Sequence, residues 1–424
     1  MRNLTSQVSS TPLCVDLDGT LIKTNTLHET VLALIRTAPQ KVFLLLYWVM
    51  RGREYLWQKL SEHTSINAAL LPYRQEVLDY LRQEKGAGRE LVLVSRAHNS
   101  IVERVADHLK IFDRYLLKKS LENAEYIDLP RRRNYIAFVK AMRPYQWAKN
   151  LLLFAAVFLS HKFNDLSLLL ASAKGFVAFS LCGSAVYIIN DLIDIEADRI
   201  HPRKRFRPFA SGDLSAVSGF LLSLILLTCA FAVAIELSRN FTLVLIIYFT
   251  LTLIYSLYLK EKLLIDVFLL ASLYVIRVWA GGTSTEIIIS HWALAFFMCL
   301  FLSLALAKRY SELLASANHP EERLLPRRGY RYSDRQFVLV YGCASSLMAV
   351  LVIALYVNSP DVIRYYQRPS LLWFICPALA YWSGRLWIIA TRGELDEDPV
   401  LYAIKDKVSY LIGAIIMAIV LFAI

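Results

Sequence analysis

Four oxygen-bearing side chains stand at helical spacing near the end of a long apolar run: Asn190, Asp191, Asp194 and Asp198. Residues 190, 194 and 198 fall at i, i+4 and i+8, and Asp191 is one step away, so on a helix all four share roughly one face. Such a face suits magnesium, a hard cation that keeps several waters and takes one or two carboxylates together with substrate phosphates. Beyond it come His201, Arg203, Lys204, Arg205 and Arg207. Guanidinium groups grip phosphate oxygens bidentately. A comb of carboxylates running into cations at a membrane surface is the chemistry of a magnesium-bridged diphosphate. A solvated loop of mixed charge is the plainer alternative, but an uncompensated acidic cluster beside an apolar span is costly.

The elements that carry this comb follow from composition. The chain has 424 residues, of which 56% are hydrophobic, a balance that describes a polytopic membrane protein. Residues 1–130 have ordinary mixed polarity, 131–145 form a basic interfacial linker, and from 146 apolar spans follow one another to 424. Nine spans are expected, over 146–161, 167–190, 214–237, 241–259, 264–281, 291–307, 336–357, 370–390 and 408–424. Lysine and arginine number 17 in the loops 192–213, 260–262, 308–335 and 391–407, against four in the alternate loops. The positive-inside rule then places the amino terminus and the comb in the cytoplasm and the carboxyl terminus outside, which fits the inner membrane of a bacterium. The net charge of +12 reads as topology and contact with anionic headgroups of the lipid bilayer, and no nucleic-acid motif accompanies it. Cys14, Cys182, Cys229, Cys299, Cys343 and Cys376 are scattered singly and read as small core residues.

The soluble part opens with Leu13-Cys14-Val15-Asp16-Leu17-Asp18-Gly19-Thr20-Leu21, a short buried strand ending in two aspartates and a glycine. With Glu90-Leu91-Val92-Leu93-Val94-Ser95 it resembles the haloacid dehalogenase (HAD) superfamily. That resemblance implies Asp16 as nucleophile, Asp18 as general acid/base, Ser95 on phosphate, and magnesium between the aspartates. Lys118 or Lys119 could supply the later lysine, but no Gly-Asp-x-x-x-Asp pattern follows, and Asp113, Glu122 and Asp128 are dispersed. A truncated, inactive domain with a docking or regulatory role is expected in preference to a working phosphatase.

Arg131, Arg132 and Arg133 lead into Arg143-Pro144-Tyr145-Gln146-Trp147-Ala148-Lys149-Asn150. With the 190–198 comb, Arg207-Pro208-Phe209-Ala210-Ser211-Gly212, Tyr255-Ser256-Leu257-Tyr258-Leu259-Lys260, Asp266 with Arg277 and Gly281, and Leu306-Ala307-Lys308-Arg309, this resembles the UbiA prenyltransferase superfamily, in its decaprenyl-phosphate phosphoribosyltransferase branch. The resemblance covers about 140–424. It implies an all-α polytopic UbiA-like membrane domain of about nine transmembrane helices, here preceded by a small α/β HAD-like soluble domain.

It also implies a magnesium-dependent transfer of 5-phosphoribose from phosphoribosyl diphosphate (PRPP) to a polyprenyl phosphate, with release of diphosphate, supplying precursors for envelope polysaccharide. The alternative is the usual reaction of the superfamily, prenyl transfer from a diphosphate to an aromatic acceptor. Asp266 stands alone where aromatic prenyltransferases normally carry a second aspartate cluster, which favours the phosphoribosyl branch. On the implied mechanism Asn190, Asp191, Asp194 and Asp198 hold the metal, while Lys149, His201, Arg203, Arg205 and Arg207 meet the diphosphate. Asp266 stabilises positive charge or a second magnesium. Arg277, about 16 Å along the helix from Asp266, lines a cavity or makes a salt bridge inside the bundle. Tyr187 touches substrate or packs. Lys260 and Lys308 bind phosphate or anchor the spans, and Arg323, Arg327, Arg328, Arg331 and Arg335 decorate a loop.

Overall fold

A computed structural model describes residues 11–116, 124–127, 134–315, 328–360, 362–395 and 398–424. Lys118, Lys119, Glu122, Asp128, Arg131, Arg132, Arg133, Arg323 and Arg327 lie outside the described residues. Two compact units are present, one of Met1–Arg143 with Tyr187–Leu226 and one of Pro144–Val186 with Leu227–Ile424.

The first unit contains a four-stranded parallel sheet, β1 (Leu13–Asp16), β2 (Leu91–Val94), β3 (Arg114–Leu116) and β4 (Glu125–Ile127), in the order β3-β2-β1-β4. The central strand β2 is apolar along its length, as is β1 up to Asp16, and both are almost wholly buried, as parallel strands covered on both faces must be. Helices α1 (Thr26–Thr37), α2 (Gln75–Gly86) and α3 (Asn99–Leu109) accompany them. Leu13, Val15, Leu81, Leu93 and Val102, all 0% exposed, belong to one core cluster. Asp16 pairs in register with Val94, so Asp16 and Ser95, the residue just after β2, stand together at the carboxyl ends of adjacent strands. The unit also contains α4 (Tyr135–Met142), the last turns of α5 (Leu166–Ile193), α6 (Ile195–Ile200) and the first turns of α7 (Ala216–Leu237).

The second unit is helical. Besides the rest of α5 and α7 it holds α8 (Arg239–Leu257), α9 (Ile265–Thr285), α10 (His291–Ala315), α11 (Arg335–Val357), α12 (Ile375–Thr391), α13 (Pro399–Lys405) and α14 (Lys407–Ala423). Among the described residues seven helices are long and apolar enough to cross a membrane, and α13 with α14, bent by 79°, makes an eighth if the pair is one span. The protein is therefore a multi-pass membrane protein.

The nine spans expected from the sequence are thus seven or eight long helices among the described residues. The difference lies at 146–161. There the chain forms a 3₁₀ run, Pro144–Phe154, followed by a five-residue α-helix, Ala155–Leu159, in place of one α-helix. Two of its polar side chains are spent inward: Trp147 Nε1 donates to Ser184 Oγ at 2.9 Å, and Asn150 Nδ2 to Ser180 Oγ at 3.0 Å. Gly281 of α9 lets that helix touch this run, because a Cβ there would collide with the Leu153 carbonyl.

Candidate active site

The comb lies in the first unit, and its helix is broken. Regular α5 ends at Ile193, Asp194 sits at φ −91°, ψ 9°, and α6 restarts at Ile195. Two i to i+4 backbone bonds nevertheless meet at the break, Asp194 N to Asn190 O at 2.9 Å and Asp198 N to Asp194 O at 2.8 Å. The four-residue spacing is preserved although the helix is not.

Asp191 and Asp198 are each 3% exposed, and one guanidinium nitrogen joins them. Arg207 Nη1 donates to Asp191 Oδ1 at 3.1 Å and to Asp198 Oδ2 at 2.6 Å. Arg143 Nη2 donates to the same Asp191 Oδ1 at 2.5 Å and lies 5.0 Å over the ring of Tyr187. Arg143 has φ 52°, ψ 59°, a left-handed conformation that non-glycine residues adopt at a cost. The chain meets this cost where α4 ends, and thereby turns the guanidinium onto Asp191. Asp191 Oδ2 is buried and has no hydrogen-bond partner.

That orphaned oxygen tests the metal that the comb implies. A buried carboxylate oxygen left unpaired is costly, and a cation shared with substrate phosphates would satisfy it. Among the described residues no group of three or more His, Cys, Asp or Glu side chains is gathered to hold a metal unaided. Magnesium does not need one, since one or two carboxylates with waters and phosphates suffice. Asp191 and Asp198 fit that requirement, and Asn190 and Asp194, both half-buried, add oxygens to the same stretch. Of the cations that follow, Arg207 reaches the comb. Arg203 and Arg205 are exposed, Arg205 lies 4.8 Å over the Phe206 ring, and His201 Nδ1 accepts from the backbone N of Arg203 at 3.2 Å and of Lys204 at 3.3 Å.

In the second unit the other expected residues form two groups. Asp266, 0% exposed, accepts from Arg309 Nη2 at 2.6 Å and from the Tyr330 hydroxyl at 2.7 Å. Both its oxygens are occupied by the protein. The segment bearing Tyr330 can approach because Gly329 has no side chain; a Cβ there would stand 2.7 Å from the Glu261 carbonyl. Lys260 is half-buried in the turn Leu259–Glu261, whose Lys260 carbonyl accepts from Arg328 at 3.2 Å. Lys149 is ion-paired with Asp398, and Lys308 also acts electrostatically on Asp398. Arg277 donates to Asn150 Oδ1 at 2.8 Å, to the Leu273 carbonyl at 2.6 Å and to the Tyr248 hydroxyl at 2.9 Å. It is 7% exposed and is held by polar and aromatic groups of the bundle.

In the sheet domain Asp16 Oδ1 accepts from Asp18 N at 3.2 Å. Asp18 accepts from Thr26 N at 2.7 Å and Thr26 Oγ1 at 3.0 Å, which fastens the first turn of α1. Ser95 Oγ accepts from Ala97 N at 3.1 Å. On the same helix burial pushes the His28 imidazole below its ordinary pKa.

Residues 151–405 match the UbiA prenyltransferase family. The chain belongs to that family. This UbiA-family chain is 33% identical to an uncharacterized protein (y4nM) of Sinorhizobium fredii, over 96% of this chain and 89% of the relative. It is 38% identical to decaprenyl-phosphate phosphoribosyltransferase of Mycobacterium tuberculosis, over 41% of this chain and 59% of that enzyme. Among solved structures, a UbiA homolog from Archaeoglobus fulgidus bound to GPP and Mg2+ superposes with a TM-score of 0.51 at 17% identity, over 68% of this chain and 99% of that one. This likeness establishes the UbiA fold.

Several residues of these separate groups in the UbiA-family chain carry no sequence signal of their role. Asp398, Tyr330 and the pairing of Arg309 with Asp266 arise from contacts across tens of residues. Arg143 stands inside a visible motif, but only its conformation reveals that it serves Asp191.

Proposed function

We propose that this protein transfers 5-phosphoribose from PRPP to a polyprenyl phosphate and releases diphosphate, using magnesium. The observation that carries the reading is Asp191, whose carboxylate has one oxygen held by two arginines and the other buried without a partner. The name of the mycobacterial relative supports phosphoribose as the transferred group. The product would supply a pentose donor for envelope polysaccharide, and the reacting face would be cytoplasmic, as the loop charges suggest.

Asp191 and Asp198 would hold the metal, with Asn190 and Asp194 as further donors. When bound, magnesium would neutralise the diphosphate and improve it as a leaving group. Arg207 keeps the two carboxylates together and, with Arg143, sets positive charge beside the departing diphosphate. Breaking the anomeric C–O bond builds oxocarbenium character on the ribose, and an acceptor phosphate oxygen attacks from the opposite face. That oxygen is already anionic at neutral pH, so no strong base is needed, and positioning with electrostatic stabilisation carries the rate. Lys149, Lys260 and Lys308 remain phosphate-binding candidates of the membrane unit. Asp16, Asp18 and Ser95 are assigned to a HAD-like domain without its own turnover.

A second reading is prenyl transfer from a diphosphate to an aromatic acceptor, favoured by the GPP and Mg2+ of the Archaeoglobus homolog. The occupied carboxylate of Asp266 argues against it, because a second metal there must displace Arg309 or Tyr330. Radiolabelled PRPP, polyprenyl phosphate and purified protein decide between the two. Magnesium-dependent label in the lipid extract, reduced about a hundredfold or more by Asp191→Asn, is expected. Unlabelled lipid together with consumption of prenyl diphosphate would transfer the assignment to the second reading.

A further inference from the structure

We infer that the amino-terminal α/β domain clamps the catalytic loop, with Glu29 acting through Arg199 as the positioning pair. This rests on the reading of the comb given above, and every group involved lies in the first unit. Arg199 follows Asp198 directly. Its Nη1 and Nη2 donate to Glu29 Oε2 and Oε1 at 3.0 and 2.8 Å, a bidentate pair in which each partner is 7% exposed. The third nitrogen of the same guanidinium, Nε, donates to the Ala210 carbonyl at 3.2 Å. Arg199 therefore ties the start of the loop to its end and fastens both to α1. Between those ties runs the segment that carries Arg203, Arg205 and Arg207.

Three further contacts show that the surface is built for this seat. Arg36, at the other end of α1, is ion-paired with Glu196. Lys23 Nζ reaches Asp213 Oδ1 at 3.2 Å. Gly212, at φ +78°, stands where a Cβ would meet Lys23 Cβ at 2.9 Å and Pro72 Cβ at 3.1 Å, so only glycine allows this approach without a shift. The clamp is anchored in turn by Asp18, which holds Thr26 at the first turn of α1, three residues before Glu29. A carboxylate in the turn after β1 thus fixes the helix, the helix fixes Arg199, and Arg199 fixes the loop whose Arg207 joins Asp191 to Asp198.

A bidentate buried pair fixes angle as well as distance, and small displacements of charged groups around a reacting diphosphate are expensive in rate. The test uses the full chain in nanodiscs, with Glu29→Gln, Glu29→Asp and the swapped pair Glu29→Arg with Arg199→Glu. Arg82→Ala, which breaks an exposed pair with Asp79 at 3.3 Å, serves as control. Three quantities are read: manganese-dependent binding of inorganic diphosphate, amide hydrogen exchange over residues 194–213, and KM for PRPP against KM for the lipid acceptor. Glu29→Gln is expected to weaken diphosphate binding and raise KM for PRPP by about ten- to a hundredfold. Exchange over 194–213 should quicken while KM for the acceptor stays unchanged, and the swapped pair should recover part of the loss. Unaltered exchange and diphosphate affinity in Glu29→Gln would overturn the clamp, as would an equal effect of Arg82→Ala. If the wild type moves no phosphoribose, the proposed reaction fails by itself, and exchange over the loop still decides the clamp. If Glu29→Gln does not fold, Glu29→Asp and the swapped pair supply the comparison.

Discussion

Asp266 and Arg309 are both inaccessible to solvent and meet at 2.6 Å, with the Tyr330 hydroxyl closing the other side of the carboxylate. Removing one member of such a pair strands a buried charge, at a cost of about 3–5 kcal/mol, whereas removing both costs much less. Asp266→Asn and Arg309→Met should therefore each lower the unfolding midpoint in detergent, and the double variant should lie no lower than the worse single. Additive losses would mean that the two side chains are not coupled. Asp266 itself is legible in the sequence, because an aspartate just inside an apolar span stands out. Its partner is not, because 43 residues separate them and Lys308-Arg309 at a span end reads equally well as an anchor. The comb shows the same division. Its spacing is visible in the sequence, and so is the nearness of Arg207, while the reach of Arg143 depends on a left-handed residue that no local pattern announces.

Helix contact decides the next scale, and glycine gives it a sharp test. Gly281 on α9 packs so closely on the 3₁₀ run that a methyl group meets the Leu153 carbonyl, a backbone atom that cannot rotate away. Gly384 on α12 has nothing within 4 Å of the same position. Alanine is intrinsically the better helix residue by about 1 kcal/mol, so Gly384→Ala should leave thermal stability unchanged or raised. Gly281→Ala should lower it and shift detergent-solubilised protein toward aggregates in size-exclusion chromatography. Equal behaviour of the two variants would remove close packing as the reason for Gly281. The long spans are legible because apolar runs of this length have few alternatives in a chain so hydrophobic. So are β1 and β2, short strands of apolar residues that lead to Asp16 and Ser95. The 3₁₀ form of 144–154 is not, since periodicity cannot separate it from an α-helix over so few residues. The break at Asp194 is hidden for a related reason: i to i+4 bonds meet at Asp194 from both sides, so the residue pattern is that of one continuous helix.

Chain continuity then predicts how often the molecule crosses the bilayer. Ion pairs Glu29–Arg199 and Lys23–Asp213 bind the sheet domain to the 194–213 loop, so both are expected on one side of the membrane. Between them the chain traverses α5, a 28-residue span, and must cross once more to return. The run from Pro144 to Leu159 is the segment available. Its residues Trp147 and Asn150 meet Ser184 and Ser180, which sets it antiparallel to α5. At about 2.0 Å per residue for the 3₁₀ part and 1.5 Å for the α part, it extends about 30 Å end to end, the thickness of the hydrocarbon core. Adding this crossing to the seven long helices and the bent α13–α14 pair makes an odd number, so the two termini should lie on opposite sides. Alkaline phosphatase, which folds only where its disulfides form, reports this directly when fused after Ile424, and a fluorescent protein fused before Met1 reports the other end. An active phosphatase with fluorescence at the amino terminus is expected. An inactive phosphatase at Ile424 would mean an even count, and either the 144–159 run or the bent pair would then enter and leave by the same face.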